Sequence, residues 1–160
     1  VLFDAADRAP AVRAVSERNA YIVDSMLRDV VQQGTARRAL RLDRPDVAGK
    51  TGTSNQARDV WFAGYSSGVS TVVWMGYDQP RSLGRATGAT HALPVWTEFM
   101  ARAVADRAPR LRERPGGVVV HAGDYAYAEY VSDVCVQDDN DRVAGPFDCA
   151  PAAPGELPPG

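Results

Sequence analysis

The chain has 160 residues, 45% of them hydrophobic and 24% charged, with a formal net charge of −2 and a pI near 5.7. This length suits one domain that buries roughly two-thirds of its unfolded surface, and the weakly acidic balance excludes a basic footprint for nucleic acid or for an anionic membrane surface. No apolar stretch approaches the roughly 20 residues needed to cross a bilayer, and Val1-Leu2-Phe3-Asp4 does not read as a signal peptide.

In chain order, Val23, Met26, Leu27, Val30 and Val31 recur at helical spacing and predict an amphipathic helix over residues 16–33, stopped by Gly34. Asp24 and Arg28 add a pair at i, i+4. The polar, arginine-rich residues 33–44 read as a connection, and Pro45 biases its predecessor toward extended backbone. Three runs rich in β-branched and aromatic residues follow, at 47–53, 59–65 and 69–77. Only Ser66-Ser67-Gly68 separates the last two, too few residues for a parallel crossover, so an antiparallel hairpin is expected. Trp96, Phe99, Met100, Ala103 and Val104 predict a second helix lying on the sheet, with Pro94 in its first turn and Pro109 after its end. Beyond it come a strand candidate at 118–121, a tyrosine-rich stretch at 125–136, and a Pro- and Gly-rich tail over 150–160 that is expected to be disordered. The fold class is therefore α+β, an antiparallel sheet covered by helices.

Several motifs match a known chemistry only in part. Gly49-Lys50-Thr51 resembles the end of a phosphate-binding loop, but Arg44 stands where the first glycine belongs. Gly64-Tyr65-Ser66-Ser67-Gly68 has the G-x-S-x-G pattern of a nucleophile elbow, and Asp78 with His91 or His121 could nominally complete a triad. An elbow needs a helix after the turn, whereas residues 69–74 read as a strand. Asp138, Asn140 and Asp141 begin like a calcium loop, but Arg142 takes the next alternate position and the required glycine is missing. Cys135 and Cys149, with 13 residues between them, are too few for a zinc site; they form a disulfide in an oxidising compartment or remain two small, partly buried thiols. No metal or cofactor is called for.

Of the 18 basic residues only Lys50 is a lysine, a compact ammonium where arginine would present a planar fork. It lies in Ala48-Gly49-Lys50-Thr51-Gly52-Thr53-Ser54-Asn55. A strand of such small residues lets a peptide come close enough to pair with its edge. The lysine then supplies positive charge, the threonine hydroxyls bind a carboxylate, and a backbone N–H faces a developing oxyanion.

The ordered blocks Ala48-Gly49-Lys50-Thr51-Gly52-Thr53, Asp59-Val60-Trp61-Phe62-Ala63-Gly64-Tyr65, Val73-Trp74-Met75-Gly76-Tyr77-Asp78 and Pro94-Val95-Trp96-Thr97-Glu98-Phe99-Met100 resemble the class A penicillin-binding proteins, most of all the penicillin-binding protein 1A group. The likeness runs over residues 14–106, with a fainter echo in residues 115–120. It implies the C-terminal portion of a transpeptidase domain over residues 1–106, a C-terminal extension over 107–149 and the tail over 150–160. It further implies a serine acyltransferase that cross-links peptidoglycan stem peptides and is acylated by β-lactams. On the positions that match, the resemblance gives Lys50 to the proton and charge network and Thr51 and Thr53 to the substrate carboxylate. Gly52 is given to close approach, and the Thr53 N–H to the oxyanion hole.

No serine in this sequence is followed three residues later by lysine, so the nucleophile of the family's S-x-x-K motif, its S-x-N motif, the glycosyltransferase domain and the membrane anchor are expected in a longer parent protein. That parent is expected in the periplasm, held to the inner membrane by the anchor. In this compartment a Cys135–Cys149 bridge would stabilise by about 3 kcal/mol on the chain-entropy model. The alternatives are a non-catalytic envelope module that makes protein contacts through residues 125–130 and a hydrolase using Ser66.

Overall fold

A computed structural model describes residues 12–131 and the backbone of residues 136–137 and 143–144. Cys135, Cys149, the acidic loop around Asp138 and the tail lie outside the described residues. The chain divides into one unit of Val23–Glu113 and another of Val1–Ile22 with Arg114–Gly160.

In the first unit a three-stranded antiparallel sheet has the order β1-β2-β3, with β1 at Ala48–Thr53, β2 at Asp59–Ser66 and β3 at Val69–Gly76. The hairpin turn is two residues long rather than the expected three, because Ser66 still pairs with Val69. Ser67 and Gly68, both at positive φ, form the tight turn whose twist suits a right-handed hairpin. Along β2 alternate residues point into the core: Val60 and Phe62 are fully buried while Trp61 and Ala63 are exposed.

Helix α2, Leu93–Ala103, covers that buried face. Its Leu93, Trp96, Met100 and the following Val104 join Phe62, Val31, Val47, Ala36 and Ala39 in one core. Phe62 and Trp96 meet edge to face with centroids 4.8 Å apart, and the Trp96 indole N–H donates to Thr71 O at 3.1 Å. The glycines Gly49 and Gly64 face each other across β1 and β2. A Cβ on Gly64 would stand 2.8 Å from the Phe62 ring and 2.9 Å from the Trp96 ring, so both rings lie on bare backbone. A single π-helical turn, Gly88–Ala92, leads into α2.

Helix α1 spans Glu17–Gln32, within a residue of the expected bounds at each end, but its buried face differs from the apolar pattern. Val23 and Met26 are exposed, whereas Asp24 and Ser25 are buried. Asp24 tolerates burial because the Tyr65 hydroxyl donates to it at 2.8 Å and Arg28 Nε donates at 3.1 Å, the latter being the pair expected from spacing. Burial and the adjacent Asp24 carboxylate raise the Tyr65 pKa well above the usual phenol range. The stretch expected to be a plain connection contains a 3-10 helix, Arg37–Leu42, anchored by the buried Ala39.

In the second unit, β4 (Val118–His121) and β5 (Asp124–Tyr127) form a hairpin around Ala122 and Gly123, both at positive φ. Tyr21 and Ile22 of α1 pack with Val118, and Tyr21 meets Tyr125 edge to face at 5.0 Å. Arg18 pairs with Glu129 at 2.8 Å and lies over the Tyr127 ring. Residues 136–137 and 143–144 pair as two short antiparallel strands, β6 and β7. Among the described residues no helix is long and apolar enough to cross a membrane.

Candidate functional site

Strand β1 is terminal in its sheet, so among the described residues one of its edges has no strand partner. Strand geometry decides which groups face that edge. Ser54 is still extended and donates its N–H inward to Asp59 O at 2.9 Å. Backbone groups alternate along a strand, so the Thr53 N–H and the Thr51 N–H and C=O point the other way, to the open edge. Lys50 agrees with this assignment: its exposed side chain bends so that Nζ donates to Thr51 O at 3.0 Å, placing the ammonium at the same edge.

The side chains divide by face. Thr51 is in register with the buried Phe62 and Thr53 with the buried Val60, so both hydroxyls belong to the face that carries α2. Thr53 Oγ1 accepts the Gly88 N–H at 3.2 Å. Only glycine permits that approach, since a Cβ at position 88 would stand 2.3 Å from Trp61 O and 2.8 Å from Gly52 O. Thr51 Oγ1 lies 2.8 Å from Thr35 Oγ1. Gly52 is on the opposite face, opposite Trp61, where a Cβ would come within 3.3 Å of the Trp61 Cβ.

The chain leading into β1 is held by a buried carboxylate. Asp46 Oδ1 accepts from Ser66 Oγ at 2.9 Å, and its Oδ2 accepts from the Ser67 N–H at 2.9 Å and the Arg110 N–H at 2.8 Å. Arg44 Nε lies 3.3 Å from the same carboxylate. Burial opposes the charge, but the N–H of Arg110, the hydroxyls of Ser67 and Ser66 and the N–H of Ser67 outweigh it and hold the carboxyl at about 2, below the ordinary 3.8. One side chain thus ties the start of β1 to the β2–β3 turn and to the segment after α2.

Lys50, Thr51, Gly52 and Thr53, expected from sequence, therefore share one strand, with a cation and outward backbone groups at its open edge and two hydrogen-bonded hydroxyls on the face that carries α2. Thr35, Asp46 and Gly88 were not expected from sequence. Thr35 and Gly88 are remote in the chain and no local pattern marks them, whereas Asp46 carries only the weak signal of a carboxylate close to an arginine. Ser66, the nucleophile of the hydrolase alternative, is fully buried; its hydroxyl donates to Asp46, and β2 runs through the turn into another strand. His91 sits in the turn before α2, with Nδ1 2.8 Å from Thr90 Oγ1. His121 ends β4 in the other unit, and Asp78 is exposed after β3. Among the described residues no group of three or more His, Cys, Asp or Glu is arranged to hold a metal ion.

The family model described as the penicillin binding protein transpeptidase domain matches residues 4–101, more than half of the chain. Penicillin-binding protein 1A of Pseudomonas aeruginosa is 50% identical over 111 residues, which cover 69% of this chain and 14% of that protein. Penicillin-binding protein 1A of Neisseria lactamica is 44% identical over 136 residues, covering 84% of this chain and 17% of that protein. Among solved structures, the crystal structure of penicillin-binding protein 1A from Haemophilus influenzae aligns with a TM-score of 0.66 at 29% identity, covering 73% of this chain and 21% of that one. The chain thus spans only 14% to 17% of the length of these curated relatives.

Proposed function

Because the chain belongs to the penicillin-binding protein transpeptidase-domain family, we propose that it forms the substrate-binding strand of a peptidoglycan D,D-transpeptidase acting in the periplasm. In this reading the enzyme also carries a glycosyltransferase domain and a membrane anchor outside these residues. The serine of an S-x-x-K motif, likewise outside them, attacks the carbonyl of the penultimate D-alanine of a stem peptide. The terminal D-alanine leaves with a proton, and the amine of a second stem peptide then displaces the serine to complete the cross-link. A β-lactam is attacked by the same serine, and ring opening leaves it attached.

The observation that carries this reading is the open edge of β1. An extended stem peptide pairs with the outward groups of Thr51 and Thr53, and the Thr53 N–H stabilises the tetrahedral oxyanion. Thr51 and Thr53 hydroxyls receive the terminal carboxylate, which the Lys50 ammonium attracts. Gly52, with no side chain, leaves room for the bound peptide.

Intact-mass spectrometry after incubation with a penicillin tests the division of labour. The 160-residue chain is expected to stay unmodified, while the complete enzyme gains one penicilloyl group per molecule on the S-x-x-K serine. A stoichiometric adduct on Ser66 of the 160-residue chain would overturn the reading in favour of a hydrolase.

A further inference from the structure

Thr51 and Thr53 are two residues apart on one face of a strand, about 7 Å from Cα to Cα, and each hydroxyl has a structural partner. For Thr53 the direction of the bond is settled: a backbone N–H can only donate, so Gly88 donates, Thr53 Oγ1 accepts, and the Thr53 proton is free for an acceptor. For Thr51 the partner is another hydroxyl, Thr35 Oγ1 at 2.8 Å, and either atom could supply the proton. A bound carboxylate resolves the choice, because it only accepts. Thr51 must then give it a proton, and its oxygen is left to accept from Thr35.

We propose that Thr35 is a positioning residue of the site: its hydroxyl donates to Thr51 and leaves the Thr51 O–H aimed at the carboxylate of the stem peptide or β-lactam. The inference rests on the function proposed above and extends it to a residue 16 positions upstream of Thr51. A chain of hydroxyls ending on an anion is polarised along its length, so the second hydroxyl is a better donor for having the first behind it.

Thr35 is built to hold this place. Gly34 stops α1, its N–H donating to Asp29 O at 3.1 Å, and a Cβ there would stand 2.9 Å from Val30 Cα. On the other side Ala36 is fully buried and donates its N–H to Val30 O at 3.0 Å. Thr35 is exposed between these two fixed neighbours, and its hydroxyl is directed at β1. Nothing in the core depends on that hydroxyl, so its removal tests the site without emptying a packed position.

The test uses the complete enzyme and compares acylation by a penicillin with acylation by the methyl ester of the same penicillin, which lacks the anionic carboxylate. Thr35→Val is expected to lower the second-order rate with the free acid by about threefold to tenfold, the range one oriented hydrogen bond controls, and to leave the ester rate unchanged. Thr35→Ser, which keeps the hydroxyl, is expected to restore the preference for the acid. Equal losses with acid and ester would mark Thr35 as merely structural and overturn the proposal. So would an unchanged acid rate in Thr35→Val while Thr51→Val reduces it, a result that leaves the assignment of Thr51 standing. If Thr51→Val and Thr35→Val both react normally with the acid, the carboxylate site itself is misassigned and the proposal falls with it.

Discussion

Lys50→Arg in the complete enzyme is expected to lower the rate of penicillin acylation at least about tenfold, equivalent to about 1.4 kcal/mol of transition-state stabilisation, with folding preserved. The charge is kept, so the loss comes from shape and proton chemistry. Lys50 Nζ reaches the Thr51 carbonyl at the open edge of β1 as a compact ammonium. A guanidinium is a planar fork that cannot exchange a proton at accessible pH, and its extra bulk would occupy the edge that the peptide backbone needs. Because the side chain is exposed and Nζ hydrogen-bonds to its own strand at Thr51 O, the substitution should alter stability by no more than about 0.5 kcal/mol. Stopped-flow acylation beside a melting curve distinguishes the cases. An unchanged rate with an unchanged melting temperature would remove Lys50 from the site.

This part of the molecule was legible in the sequence because it is local: cation, hydroxyls and glycine occupy consecutive positions, and β-branched runs on either side mark the sheet. The hairpin was legible for the same reason, since its loop is too short for any other connection. Non-local chemistry was not. The apolar period of α1 nominated Val23 and Met26 for the core, yet Asp24 and Ser25 are the buried pair. A periodicity count ranks side chains by hydrophobicity alone and cannot know that the Tyr65 hydroxyl, 41 residues later, will satisfy Asp24. The π turn over Gly88–Ala92 is not legible because residues 79–92 carry one proline, two glycines and two arginines without an apolar period. Its value to the site depends on one glycine N–H that reaches Thr53. Thr35 is similar: as a residue after a helix-stopping glycine it looks like loop, and only the folded chain brings it to Thr51.

Asp46→Ala is expected to destabilise the chain by about 3–5 kcal/mol, the cost of breaking a buried, hydrogen-bonded ion pair by removing one partner. The carboxylate is the common acceptor for Ser66, Ser67, Arg110 and Arg44, and its loss leaves those donors facing one another in a buried space. Asp46→Asn isolates the charge, because it retains the volume and one acceptor oxygen. The folded carboxyl titrates at about 2 and the unfolded one at 3.8, so its ionised form favours the folded state. That contribution is fully present above the unfolded value and is lost as the pH falls from about 4 through about 2, amounting to about 2 kcal/mol across the window. Urea unfolding of the wild type and Asp46→Asn between pH 6 and pH 2, followed by tryptophan fluorescence with Trp96 buried in the core as reporter, measures the gap. The wild type should be the more stable at pH 6, and the two curves should converge toward pH 2. A gap that stays constant over the whole range would mean that Asp46 acts through its shape alone, and that the start of β1 is held by packing rather than by the buried charge.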